Sequence, residues 1–179
     1  MTGQSFIERS RYYLAREYPA KIRLAVEGLP DDMVWKRPAG ESNSIGNLLL
    51  HLSGNIRQWI VGGVGGAQTD RDRASEFAAR GGLTGAELLG MLDRTVADAD
   101  SVLARLAEAQ LSESRTIQGR ETTVIGAVYH VVEHFSMHVG QILMLAKIFA
   151  PGSVKFYEDA DGVAVPLWGG SEGMSEGTS

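Results

Sequence analysis

His130-Val131-Val132-Glu133-His134-Phe135-Ser136-Met137-His138-Val139-Gly140-Gln141 carries three of the four histidines in the chain, spaced four residues apart. On a helix, residues i and i+4 share a face one turn apart, so His130 with His134, or His134 with His138, can grip one ion. All three together cannot. At about 1.5 Å rise per residue, His130 and His138 stand roughly 12 Å apart along the axis, too far for imidazole–metal bonds of about 2.0–2.1 Å to one cation. A metal held here needs a third ligand from elsewhere. The remaining histidine is His51, inside the apolar run Ile45-Gly46-Asn47-Leu48-Leu49-Leu50-His51-Leu52.

Working outward, the histidine stretch sits in a predicted fourth helix from about Thr122 or Thr123 to Ala150, stopped by Pro151-Gly152. Its apolar stripe is Val124, Ala127, Val128, Val131, Phe135, Ile142, Leu145 and Ile148, and His134 and His138 lie on that side. His51 belongs to a second helix, about Ile45 to Val61, capped by Asn43 or Ser44 and ended by Gly62-Gly63-Val64-Gly65-Gly66. A first helix runs from Ser5 to about Gly28 with Pro19 inside it, and Asp31 or Asp32 caps a short turn carrying Met33 and Trp35. A third helix begins at Thr84 with the capping-box partner Glu87 and continues to about Ala109. Residues 112–123 read as a loop with room for a short extended piece, and residues 156–168 as a cover for one end of the bundle. The expectation is an all-α four-helix bundle with long inter-helix loops, one domain over residues 1–168, and a disordered tail over 169–179.

Composition narrows the function. A formal net charge of −5 and pI ≈ 5.4 argue against nucleic acid or an anionic membrane as partner. No cysteine is present, so disulfides, thiolate zinc sites and a protein thiol nucleophile are excluded. No apolar run reaches about 18 residues and Met1–Arg16 lacks a signal-peptide core, which makes a soluble, cytoplasmic protein the expectation.

Several core-side imidazoles each need a partner, and a cation held by three of them would keep a coordination position open, the catalytic pattern. A water or an external thiol bound there would ionise near neutral pH. Glu133 projects about 100° from His134 and reads as a surface residue. His130, Asn55, Gln58 and Gln141 are the polar groups near the stripes that can hydrogen-bond a substrate or orient a ligand. Trp35 and Trp59 read as core anchors. The glycine run lacks a preceding strand and a phosphate-loop lysine, so nucleotide binding is discounted.

Asn43-Ser44-Ile45-Gly46-Asn47-Leu48-Leu49-Leu50-His51-Leu52, paired with Glu133-His134-Phe135-Ser136-Met137-His138-Val139-Gly140-Gln141-Ile142, resembles the DinB/YfiT-like superfamily. Within it, the chain is similar to a subfamily described as a DinB-related domain of unknown function. The resemblance spans about Phe6 to Tyr157, and His-x-x-x-His-x-Gly-Gln is its specific part. It implies a four-helix bundle holding a divalent metal, zinc or nickel first, with His51, His134 and His138 as ligands by position. His130, Asn55 and Gln141 are then pocket or ligand-orienting residues. It further implies a transferase or isomerase working on a small-molecule substrate with a low-molecular-weight thiol such as bacillithiol, mycothiol or glutathione, in a homodimer. A metal-dependent hydrolase and a non-catalytic dimeric binding protein are the alternatives. Met137 and Val139 stand where the superfamily often has histidine and arginine, so the ligand positions carry over and a particular activity does not.

Overall fold

The structure, a computed structural model, describes residues 2–152 and 154–168. The tail predicted for 169–179 lies outside the described residues. Helix α1 spans residues 3–26, as α-helical Gly3–Tyr12 and Tyr18–Val26 joined through a π-helical turn, Tyr13–Glu17. Pro19 is the second residue after that turn. Its ring removes an N–H and crowds the carbonyl four residues back, and the wider π winding gives it room. Helix α2 is Asp31–Trp35. Neither aspartate caps it; Asp31 Oδ1 instead accepts from the Gly85 amide at 2.7 Å.

Helix α3 spans residues 45–64, α-helical over Ile45–Ile56 and π-helical over Arg57–Val64. Ser44 caps it: Ser44 Oγ accepts from the Asn47 amide at 3.1 Å while Asn47 Oδ1 accepts from the Ser44 amide at 3.1 Å. The glycine run does not stop the helix where expected. Gly62 and Gly63 continue it, and a Cβ on Gly63 would collide with Ile117 Cδ1 unless that side chain shifted, so the glycine lets β1 pack close. After Asp72 the chain forms helix α4, Arg73–Ala78, with Asp72 Oδ1 accepting from the Ser75 amide at 3.1 Å. Helix α5 is Gly85–Leu103, with the expected capping box of Thr84 and Glu87, and a 3₁₀ turn Glu108–Ser112 follows.

Two antiparallel hairpins qualify the all-α expectation. Strands β1, Ser114–Ile117, and β2, Arg120–Thr123, pair with Ile117 opposite Arg120. They turn through Gln118 and Gly119, both at positive φ, the combination that a two-residue hairpin loop requires. Helix α6, Val124–Phe149, starts at once under a Thr123 cap. Strands β3, Tyr157–Ala160, and β4, Val163–Pro166, form the second hairpin.

The four long helices touch in a ring: α1 packs on α6, α6 on α3, α3 on α5, and α5 back on α1. The core inside includes Ile22, Leu48, Leu52, Leu92, Phe135 and Ile142, each at most 1% exposed. Burying a side chain of that size contributes about 1.5–3 kcal/mol relative to leaving it in water. One stripe residue departs from expectation. Ile148 is 52% exposed, because six residues past Ile142 it has rotated about 120° off the buried face.

Candidate metal centre

His51, two turns into α3, meets His134 and His138, on consecutive turns of α6, where the two helices pack. His134 Nε2 lies 3.1 Å from His51 Nε2 and 3.2 Å from His138 Nε2, and the three nearest nitrogens fall within 4.8 Å of one another. His51 and His138 are buried and His134 partly so. Bonds of about 2.0–2.1 Å in a tetrahedral arrangement put ligand nitrogens about 3.3 Å apart, close to these separations.

The far nitrogens fix which lone pairs face inward. His51 Nδ1 lies 2.9 Å from Glu76 Oε2 and 3.1 Å from Arg71 Nη2; Arg71 Nη2 already donates to Glu76 Oε2, and with Nδ1–H donating to that shorter carboxylate contact Nε2 is left as a bare lone pair. His138 Nδ1–H donates to Gln141 Oε1 at 2.7 Å with the same result. Glu76 is in turn clamped by Arg71, whose Nε and Nη2 donate to its two oxygens at 2.7 and 2.9 Å. Burial pushes the Glu76 carboxyl up, but the hydrogen bonds from Arg71 and His51 outweigh it and hold it below the usual carboxylate range. Burial, reinforced by His138 and His51, pushes His134 down to about 3. Burial also lowers His138, against the bond from Gln141. Inward-facing lone pairs thus meet at van der Waals range. A proton on His134 Nε2 can properly satisfy only one neighbour, whereas a cation satisfies all three, so the donor set fits a metal ion.

Asn47 and Arg37 put Glu76 in place. Asn47 Nδ2 donates to the Glu76 and Ala79 carbonyls at 2.8 and 2.9 Å, and Arg37 Nη2 to the Phe77 carbonyl at 2.7 Å, which ties α4 to the start of α3. Gly54 makes the approach possible: a Cβ there would collide with Glu76 Oε1 and stand 2.8 Å from Arg71 Nε.

His130 lies outside the cluster; its ring packs at a tilt, 4.3 Å from Trp59 and 5.5 Å from His134. Asn55, one turn beyond His51, is 5% exposed and its Oδ1 has no partner among the described residues; the same holds for Trp59 Nε1 and His134 Nδ1. Gln58 Oε1 accepts from Arg71 Nη1 at 2.8 Å, and Glu133 is exposed. Trp35 packs over Gly46 and donates to the Leu83 carbonyl at 2.7 Å. Sequence reasoning missed Glu76, Arg71 and Gly54. The one available signal was Gly54, since a glycine inside an apolar helix marks a close approach.

Two long helices of a largely helical protein thus bring three histidines together, with His51 and His138 held by Glu76 and Gln141 so that they face His134. The fold is similar to that of a DinB-like protein, YjoA, from Bacillus subtilis, known from a crystal structure at 2.30 Å resolution. The TM-score is 0.63 at 19% identity, over 84% of this chain and 97% of that one. The family described as protein of unknown function (DUF1572) matches residues 1–157, and the chain belongs to it. No curated protein matches the chain. No helix among the described residues is long and apolar enough to cross a membrane.

Proposed function

We propose that this protein is a divalent-metal-dependent enzyme of the DinB-like class, with His51, His134 and His138 as the ligands and residues 1–168 forming one four-helix bundle around them. The observation that carries the reading is the convergence of three imidazoles, with His134 Nε2 3.1 Å from His51 Nε2 and 3.2 Å from His138 Nε2, all three within 4.8 Å of one another, and the outer nitrogens of His51 and His138 bonded to Glu76 and Gln141. His51, His134 and His138 would hold a zinc or nickel ion, which would supply Lewis acidity and lower the pKa of a bound thiol or water toward neutrality.

The chain's own residues do the rest. Glu76 holds the His51 tautomer and ring angle, Arg71 keeps Glu76 ionised, and Gln141 does for His138 what Glu76 does for His51. His130 and Trp59 form an aromatic wall beside His134. Asn55 Oδ1 and Trp59 Nε1–H offer one acceptor and one donor to a substrate or an ordered water. The histidine cluster contains no carboxylate among the described residues, and Glu76 is committed to Arg71 and His51. A thiol and a water bound there would each release one proton to solvent on ionising, so thiol transfer or isomerisation is the reading taken from the resemblance and hydrolysis by a bound hydroxide is its alternative.

Elemental analysis of untagged protein tests the ligand set. About one equivalent of zinc or nickel is expected in the parent and little in His51→Ala. No metal after incubation with either ion overturns the reading and leaves a non-catalytic bundle. With metal present, thiols assayed against electrophiles, and water-only turnover alongside, separate transferase from hydrolase.

A further inference from the structure

Helices α4 and α5 both pack on α3, and between them they leave a cleft of about 400 Å³, a volume in the range of small-ligand sites. Ser53, Gly54 and Arg57 of α3 form its floor. The segment 69–76 makes one wall, and Met91, Arg94 and Thr95 of α5 make the other. Arg71 and Glu76 stand between the cleft and His51, which does not line it.

Ser53 is 5% exposed, yet its Oγ has no partner among the described residues. Thr95, on the facing helix, settles the same need by donating to the Met91 carbonyl one turn back at 3.0 Å. A buried hydroxyl left unpaired is costly, and a ligand in the cleft would relieve it.

Six charged side chains line the cleft, three of each sign, and four of them are occupied. Arg71 and Glu76 hold each other, Arg57 Nη2 donates to Asp98 at 3.2 Å, and Asp72 caps α4. That leaves Arg94 on α5 and Asp70 on the opposite wall, neither with a hydrogen bond or ion pair among the described residues. An anion alone would satisfy Arg94 and be repelled by Asp70; a cation alone would do the reverse. A molecule carrying both charges satisfies the two at once.

We propose that this cleft binds an amino-acid-like zwitterion, with its carboxylate at Arg94, its ammonium at Asp70 and its polar end bonded to the Ser53 hydroxyl. Leu50 and Met91 supply apolar surface for an aliphatic side chain. None of the three clustered histidines takes part, so the proposal stands apart from the metal reading.

Isothermal titration calorimetry of the full-length untagged protein with leucine and with glycyl-leucine tests it, with far-UV circular dichroism to verify that each variant stays folded. At least one of the two probes is expected to bind. Arg94→Glu and Asp70→Lys, both at exposed positions, should each weaken that probe at least about tenfold by setting like charges together. Isocaproate and isopentylamine, which are leucine without its ammonium and without its carboxylate, should bind at least about tenfold more weakly than the zwitterion. His138→Ala removes a histidine of the cluster that makes no hydrogen bond to Arg71 or Glu76, and it should bind the probe as the parent does. No binding of either probe at millimolar concentration, indifference to either charge reversal, isocaproate binding as tightly as the zwitterion, or loss of binding in His138→Ala overturns the proposal. Metal content, measured separately, reports on the histidine site alone.

Discussion

Glu76 is an ion kept in the interior: it is 8% exposed, held by Arg71 on one side and bonded to His51 on the other. Glu76→Gln keeps the shape and an oxygen for the His51 Nδ1–H but removes the charge. Metal affinity measured by competition with a chelator should fall about 10–100-fold. Urea unfolding should show a loss of about 3–5 kcal/mol, because Arg71 is left buried without its counter-charge. Gly54→Ala should lower metal affinity without touching any ligand, since the added methyl displaces the Glu76 carboxylate; unchanged affinity would mean that the carboxylate does not orient His51. The two residues differ in how far the sequence announces them. The histidines of α6 advertise a shared face by their spacing, and the motif resemblance picks out His51. Glu76 sits 25 residues from His51, just past a run of four charges, and its burial is decided by Asn47 and Arg37 reaching across from another element. No local pattern encodes that.

At the scale of elements, Asn47 does two jobs, completing the cap of α3 and accepting α4 as a neighbour. Asn47→Ala should cost about 1–3 kcal/mol in urea unfolding, from buried carbonyls left without donors, and should speed amide exchange across residues 73–78 before any other helix. Thr84→Ala removes only a cap, and about 1 kcal/mol is expected. The long helices were legible because apolar residues recur through α3, α5 and α6 and because Thr84 with Glu87 marks a start. The π-helical turns were not, since a stripe of apolar residues looks alike on either winding. Gly62 and Gly63 read as a stop because the demand for them comes from Ile117 on β1 and from Thr69, both distant in sequence. Of the hairpins only a short extended piece in residues 112–123 was legible, because a four-residue strand offers too few positions to display alternation, and β3 and β4 bury almost nothing.

For the whole molecule, the ring of α1, α5, α3 and α6 encloses one continuous apolar core that does not depend on the histidines. Chelation should therefore leave helical circular dichroism intact, while zinc at about 100 times its dissociation constant should add ~2.7 kcal/mol, about 5–10 °C in Tm. Collapse on chelation would make the metal structural instead. The placement of the carboxylate that orients His51 has a kinetic consequence. Arg71 and Glu76 belong to a segment outside the four long helices, attached through Asn47, Arg37 and the Asp72 cap. Such a segment can lift while the core stays closed. The residence time of a bound ion then follows the opening of six residues and not the unfolding of the domain. Transfer of the ion to a chelator and amide exchange in α4 should share one rate, with the amides of α6 exchanging far more slowly. An ion held at these three histidines would then load and leave many times within a single folded lifetime.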